Sequence, residues 1–270
     1  MTLERVLNVS RADRTRQLAG KARYTSLKAM DSLYGEDLAY IQAIAFGGLA
    51  RGAAPEIVRL LESAKIPIRR VVDLGCGAGV LTSAMVEAGF DVTAVDDSAG
   101  LLALAAAMAP RARFVKASIY QLEIPECEAI IAIGESLTYH AEIGEADRLV
   151  WNFFQRAARI LPTGGMLIFD VIETGEPTLA GRSWRSGVDW AVLVDTTEDQ
   201  PSRTLVRTIE TFRQVGHSYR RGRELHRVRV FDTNELIAAL AGQGFATETM
   251  QAYGSEALAP RRRAFICSRL

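Results

Sequence analysis

Cysteine is scarce in this 270-residue chain: Cys76, Cys127 and Cys267 stand far apart, form no C-x-x-C and have no histidine at ligand spacing. That argues against a disulfide framework and against a metal site, and the expected setting is a reduced, cytoplasmic one. Net charge is absent too, with 32 Lys and Arg against 32 Asp and Glu, so the overall field draws the chain towards neither nucleic acid nor an anionic surface. Long apolar runs are missing. The longest, Leu101–Ala109, is far short of the ~20 residues that span a bilayer. The first residues carry Arg5, Arg11, Arg14 and Arg16 and no apolar signal core, so a soluble protein is expected. Aromatics make up 7% of a chain that is 49% apolar, which leaves the core to Ala, Leu and Val.

What is present centres on Val71-Val-Asp-Leu-Gly-Cys-Gly-Ala-Gly-Val-Leu-Thr82. Two β-branched residues lead through Asp73 into glycines at alternate positions, Gly75, Gly77 and Gly79, and a helical pattern follows. This reads as a buried strand, a tight turn and a helix start, where glycine lets a ligand approach the main chain and the first helical N–H groups are unpaired. A dinucleotide fingerprint would read G-x-G-x-x-G with its acid about 20 residues on. Here the order is D-x-G-x-G-x-G, with Asp73 ahead of the turn and Asp96 and Asp97 ending the next apolar run. An acid there would repel a pyrophosphate and suit a cationic amino-acid ligand. The plainer alternative is a turn that serves only strand–helix packing.

Along the chain, residues 1–20 read as a polar arm and 24–44 as helical, with a further helix starting at Pro55. From Val71 strands and helices alternate. Strands fall at 92–95, 112–116, 129–133 and 166–171, with helices at 99–108 and 146–160, where Trp151, Phe154 and Ala158 are expected to face inward. Nearly continuous apolar strands separated by helices predict a doubly wound α/β fold with a mostly parallel sheet of seven strands, covered on both faces. Ligands of such sheets lie beyond the carboxyl ends of the strands. Residues 172–232 break the rhythm: runs at 188–194, 203–215 and 225–231 predict a three-stranded antiparallel insertion, with turns near Pro201 and Gly222. A helix at 235–241, capped by Asp232 or Thr233, and two final strands complete the core. The expected domains are an N-terminal helical arm and lid over 1–54, a cofactor core over 55–171, the insertion over 172–232 and the completion of the core over 233–270.

The stretch VVDLGCGAG resembles the first motif of the class I S-adenosylmethionine-dependent methyltransferases. The resemblance implies the Rossmann-like methyltransferase fold and S-adenosylmethionine as cofactor, gripped by Asp73, Gly75, Cys76 and Gly77. It places Asp96 on the ribose hydroxyls, with Asp97 beside it as a weaker contact or the cap of the next helix. It also puts adenine against Ser118 and Ile119, where the family often has an acid or amide. The segment Ile131-Ala-Ile-Gly-Glu-Ser-Leu-Thr-Tyr-His140 resembles that of glycine N-methyltransferases and their small-molecule relatives. It implies cofactor contacts from Ile133, Gly134 and Glu135, with Tyr139 and His140 as catalytic candidates. Glu135 replaces the relatives' asparagine and would face the sulfonium. Arg51, 22 residues before Asp73, matches the arginine that holds the methionine carboxylate, and Tyr34 matches a tyrosine over the cofactor.

Arginines crowd the insertion (203, 207, 213, 220, 221, 223, 227 and 229), with Glu210 and Glu224 as the acids between 201 and 230. Alternation sets Arg227 and Arg229 opposite His226, Val228 and Val230. The plain reading is a solvated outer face with Arg as an edge-strand blocker, and the sharper one an anionic substrate or nucleic acid; sparse interleaved aromatics and zero total charge argue against nucleic acid as partner. The absence of an N/D-P-P-Y segment argues against methylation of nucleic-acid bases. The expectation is a methyltransferase acting on a small-molecule acceptor, at nitrogen rather than oxygen, with no membrane partner and a homodimer left open. The rival readings are an S-adenosylmethionine-binding protein without activity and a nicotinamide-dependent oxidoreductase.

Overall fold

The computed structural model describes residues 33–139 and 146–270. His140 therefore lies outside the described residues, as do the arm and the segment before Leu33. Among the described residues no helix is long and apolar enough to cross a membrane.

The core is an α/β sandwich. Five parallel strands, β1 (Arg70–Leu74), β2 (Asp91–Asp96), β3 (Arg113–Lys116), β4 (Ala129–Ala132) and β5 (Met166–Glu173), stand in the order β3-β2-β1-β4-β5. Their sequences explain their place: β4 is buried at all four positions and β5 at its first seven, as continuous apolar strands must be when helices cover both faces. Helices α2 (Gly48–Glu62) and α3 (Val80–Glu87) pack one face through Ile57, Leu61, Leu81 and Met85. Helices α5 (Ala146–Ile160) and α6 (Thr233–Gly242) cover the other through Phe153, Phe154, Leu236 and Leu240. Helix α1 (Glu36–Ala45) lies against α4 (Ala99–Met108). The final strands β10 (Phe245–Met250) and β13 (Arg262–Arg269) form an antiparallel pair on the free edge of β5, giving the seven core strands. Between them β11 (Ala252–Tyr253) and β12 (Glu256–Ala257) make a small hairpin that the sequence pattern did not reveal.

The insertion is a ribbon of four strands rather than three: β6 (Gly181–Ser186), β7 (Trp190–Asp199), β8 (Thr204–Val215) and β9 (Ser218–Phe231). β6 is exposed throughout and lacks the apolar alternation that marks a strand, which is why it escapes sequence reading. The β8–β9 turn falls at Gly216-His217, not near Gly222, and Gly216 takes a φ of +62°. Gly222 lies within β9 opposite Thr211, whose side chain fills the place of its missing Cβ. The last residues of β9 pair with β5 at Ile172 and Glu173, and Ile172 also pairs with β13. β9 must therefore run on the β4 side of β5, just beyond the end of β4. The ribbon thus grows out of the main sheet at the ends of its strands.

Three local expectations are corrected. Helix α2 begins at Gly48, and Pro55 lies inside it, where its missing N–H leaves the Arg51 carbonyl without the usual helical donor. The helix extends this far because Ala53 and Ala54 are buried and Gly52 lets the Glu256 side chain come against its backbone. Helix α4 is capped by Ser98, which accepts from Leu101 N, not by Asp97. In α5 the buried face is Val150, Phe153, Phe154 and Ala157, with Trp151 at its margin.

Candidate active site

The glycine turn joins β1 to α3 at the carboxyl end of the sheet. Gly75 has φ +68° and its α-carbon faces Ser136, so a side chain there would collide with the segment after β4. Gly79, at φ +82°, caps α3, and a Cβ on it would meet Ala105 at 2.9 Å. Asp96 closes β2 and reaches across the turn. Its Oδ2 accepts Gly77 N at 3.0 Å and its Oδ1 accepts Ser98 N at 2.9 Å. Burial raises its carboxyl above the ordinary range, an effect opposed by those two N–H groups. Asp97 is exposed beside it.

Asp73 has a different environment. It is buried, accepts the Thr82 hydroxyl at 2.5 Å, and is pushed up to about 6 by burial. Its carboxylate ties β1 to α3. Cys76 is buried in the turn, and burial raises its thiol. Ser118 and Ile119 follow β3. Ser118 O accepts Gln121 N and Leu122 N, and the Ile119 side chain reaches towards Gly75. The Arg51 side chain is exposed and hydrogen-bonded to none of the described residues. A Cβ on Gly47 would lie 3.8 Å from Arg51 Nη2 and 3.3 Å from Val80, so the guanidinium stands close to the start of α3.

Past β4 the chain turns sharply through Ile133, Gly134 (φ +77°) and Glu135 (φ +67°). Asp170, buried on β5, makes this turn possible by accepting Gly134 N and Glu135 N, each at 2.8 Å, and Tyr253 OH at 3.3 Å. Two successive N–H groups on one carboxylate form an anion nest. Glu135 is itself buried. Arg207 Nη1 on β8 donates to it at 2.8 Å, and Arg262 on β13 donates as well. Burial raises its carboxyl, but the two guanidiniums outweigh that and hold it below the ordinary range. Glu135 therefore engages two arginines, a different arrangement from the sulfonium partner the resemblance implied.

The ribbon closes over this turn. Arg229 N donates to Thr138 O at 2.8 Å and Tyr139 bridges to Val228. The rings of Tyr34, Tyr139 and His226 meet edge-on, with centroids 5.1 to 6.3 Å apart, and the two tyrosine hydroxyls are 3.1 Å apart. Burial raises both phenols. Tyr34, at φ +60°, is anchored by its N–H to Glu224 and by its carbonyl to Ser98 Oγ, linking the ribbon to the start of α4. Trp184 is 73% exposed and Trp190 packs with α1.

Of the residues expected from sequence, the structure gathers Gly75, Cys76, Gly77, Asp96, Ser118 and Ile119 around the ends of β1, β2 and β3. It gathers Glu135, Tyr139 and Tyr34 under the ribbon, with Ile133 and Gly134 leading into that turn from β4. Sequence reading missed Asp170, Arg207, Glu224 and Arg262. A signal existed for Asp170, a lone charge inside Met166-Leu-Ile-Phe-Asp-Val-Ile172. The arginines of the ribbon are not a free outer face. Arg203, Arg207, Arg213, Arg220, Arg221 and Arg229 pair with Glu235, Glu135, Asp37, Asp37, Glu210 and Asp147.

Residues 71–165 match the methyltransferase domain family. A "Putative methyltransferase" of Geobacillus sp. is 35% identical over 112 residues, a match that covers 39% of this chain and 43% of that protein. The match thus spans less than half the length of that relative. "Putative methyltransferase YqeM" of Bacillus subtilis is 24% identical over 65% of this chain and 73% of its own. Among solved structures, an S-adenosylmethionine-dependent methyltransferase of Clostridium acetobutylicum superposes with a TM-score of 0.72 at 16% identity, over 85% of this chain and 96% of that one. The sugar N-methyltransferase KedS8 of Streptoalloteichus superposes with a TM-score of 0.70 at 21% identity, over 90% and 98%. The architecture is the class I methyltransferase fold, with its mostly parallel sheet and appended antiparallel strands.

Proposed function

We propose that this chain is an S-adenosylmethionine-dependent methyltransferase that methylates nitrogen on a small molecule, in the manner of glycine N-methyltransferases and related enzymes. The observation that carries the reading is the cradle at the ends of β1 and β2. A glycine turn that brings main chain to the surface, a carboxylate at Asp96 set across it, and the unpaired guanidinium of Arg51 beside it suit the three polar parts of one ligand. Asp96 would accept the ribose hydroxyls, Arg51 would fork onto the amino-acid carboxylate, and Ser118 and Ile119 would border the adenine.

The cofactor supplies an activated methyl group on a sulfonium. The protein's part is alignment, for which holding the reacting groups together contributes ~7–11 kcal/mol. The turn at Gly134 and Glu135, fixed by Asp170, and the Tyr34–Tyr139 pair form the wall that an acceptor meets. Nitrogen as the acceptor atom is supported by one protein of this fold, KedS8, described as a sugar N-methyltransferase, and a small acceptor that carries an amino group by CalS10 of Micromonospora echinaspora, described as an amino pentose methyltransferase. Titration calorimetry tests the cofactor: S-adenosylmethionine is expected to bind and NAD not to bind. Binding of NAD alone would replace this reading with the oxidoreductase one. S-adenosylmethionine binding with no methyl transfer to any member of a metabolite pool, followed by mass spectrometry, would favour a binding protein.

A further inference from the structure

His226 is fully buried and its two ring nitrogens differ. Nε2 lies 2.8 Å from Glu224 Oε2. Nδ1 has no partner. Among the described residues only Arg213 Nε shares that condition, and Arg213 Nε carries a hydrogen, so Nδ1 is the one such buried side-chain atom that can accept. Glu224 fixes which nitrogen holds the proton. Its carboxylate also accepts Tyr34 N at 2.8 Å and Gly35 N at 2.9 Å. Burial raises this carboxyl, but the hydrogen bonds from His226, Tyr34 and Gly35 bring it below the ordinary range. An ionised carboxylate only accepts, so Nε2 must be the N–H and Nδ1 the base of the neutral ring.

The ring sits where an acceptor would be handled. It faces Tyr34 ahead of α1 and Tyr139 after β4, and lies opposite Arg207 across the β8–β9 ladder. The charged groups around it are Glu224 on its own strand, Arg207 on β8 and Glu135 after β4. Arg207 and Glu135 pair with each other, which leaves Glu224 as the charge that would stabilise a protonated imidazole.

We propose that His226 Nδ1 takes the acceptor's proton before methyl transfer, with Glu224 as its orienting carboxylate, and that the acceptor is a small-molecule primary or secondary amine. This rests on the methyltransferase reading above. The amine lone pair forms the new C–N bond as the methyl C–S bond breaks, and sulfur keeps that bonding pair as a neutral thioether. The acceptor enters as an ammonium, and its proton passes to Nδ1 before that attack, which frees the nitrogen lone pair; the imidazolium is held by Glu224. The imidazole is fully buried with the Tyr34 and Tyr139 rings edge-on to it, so the acceptor reaches Nδ1 when side chains around it move.

Two measurements test the assignment. In the first, the full chain is assayed from pH 5 to 9 against a panel of amino sugars and small amines, with formation of S-adenosylhomocysteine as the readout and cofactor affinity measured in parallel. His226→Gln keeps a donor for Glu224 but is no base. It should bind S-adenosylmethionine within about twofold of wild type, lose about 100-fold or more in kcat, and lose the acid limb of the pH profile. Glu224→Gln should show a smaller loss and a shifted limb. Wild-type rate and profile in His226→Gln would overturn the proposal while leaving the methyltransferase reading intact. Failure of wild type to bind the cofactor would overturn that reading first. The second measurement needs no acceptor: nitrogen-15 NMR of the wild-type histidines at neutral pH should show Nδ1 of His226 as an unprotonated nitrogen. A proton on Nδ1 would sink the assignment whatever the panel gives.

Discussion

Two walls face each other in this site, and they are made differently. The proposed cofactor wall is local: the turn joins β1 to α3, Asp96 and the Ser98 cap belong to the next strand and helix, and the Gly77–Asp96 hydrogen bond joins residues 19 apart. The ribbon wall is assembled from afar: Glu135 meets Arg207 72 positions on and Arg262 127 positions on, and Tyr34 meets Glu224 190 positions on. The first is held by backbone geometry and the second by buried charge. The cofactor wall should therefore fail through affinity and the ribbon wall through stability and turnover.

Removal of the Asp96 side chain should have the largest effect. Asp96→Ala deletes the proposed acceptor of two ribose hydroxyls, each hydrogen bond to a charged group contributing ~1.5–3 kcal/mol, so calorimetry should show affinity for S-adenosylmethionine falling by some 100-fold or more. Unchanged affinity would mean that the carboxylate serves only Gly77 and Ser98. On the ribbon side, Arg207→Met leaves Glu135 buried with one arginine fewer. Breaking a buried pair from one side costs about 3–5 kcal/mol, which denaturant unfolding would detect. A loss below 1 kcal/mol would show that Arg262 alone suffices. Glu135 also sets a pH dependence. Its folded carboxyl lies below the unfolded value, so its contribution is present above ~4.3 and fades as pH falls through the folded value. Glu135→Gln should flatten that acid limb of stability.

Asp73 has the opposite sign and so sharpens the contrast within the cofactor wall. Its folded carboxyl is raised to about 6 against ~3.9 unfolded, so the associated stability is present below ~3.9 and is lost as pH rises through about 6. Asp73→Asn, which can still accept from Thr82, should remove a loss on the order of 2–3 kcal/mol between those limits in unfolding measured at several pH values. A curve like that of wild type would mean Asp73 does not titrate there. The smallest effect is expected at Arg51. Arg51→Lys retains the charge and loses the fork, and should weaken the cofactor about tenfold by calorimetry, the equivalent of one hydrogen bond. Wild-type affinity would return Arg51 to the role of a surface charge.

The same division decides what could be seen before the fold was known. The strand positions of the core, the α5 limits and the glycine turn follow from signals carried within a few residues: apolar runs, alternate glycines, a cap. Asp96 was recognisable because it ends the strand next to the turn in sequence as well as in space. The ribbon wall had no such signal. Glu224 and Arg207 look like members of a charged, alternating surface strand, and only the pairing of β8 with β9 and of β9 with β5 turns their face inward. The helix start at Pro55 was misplaced for a related reason, since a favourable local rule at proline was overridden by the packing of Ala53 and Ala54 and the approach of Glu256. His226 fell between the two cases: alternation gave its face, but not the glutamate two residues before it as its partner.

The pairing of β8 with β9 constrains how this chain could change over evolutionary time. Side chains alternate faces along a strand, so a single residue gained or lost in β9 between Glu224 and its pairing with β5 would turn Glu224 outward while leaving the later residues in place. Repair would need a bulge. Length can vary freely only at the distal tip around Gly216 and His217, where both strands lengthen together and the residues below keep their register. Homologues would then be expected to differ in the reach of the ribbon beyond the body of the protein, while the number of residues between its Glu224 position and the β5 pairing stays the same.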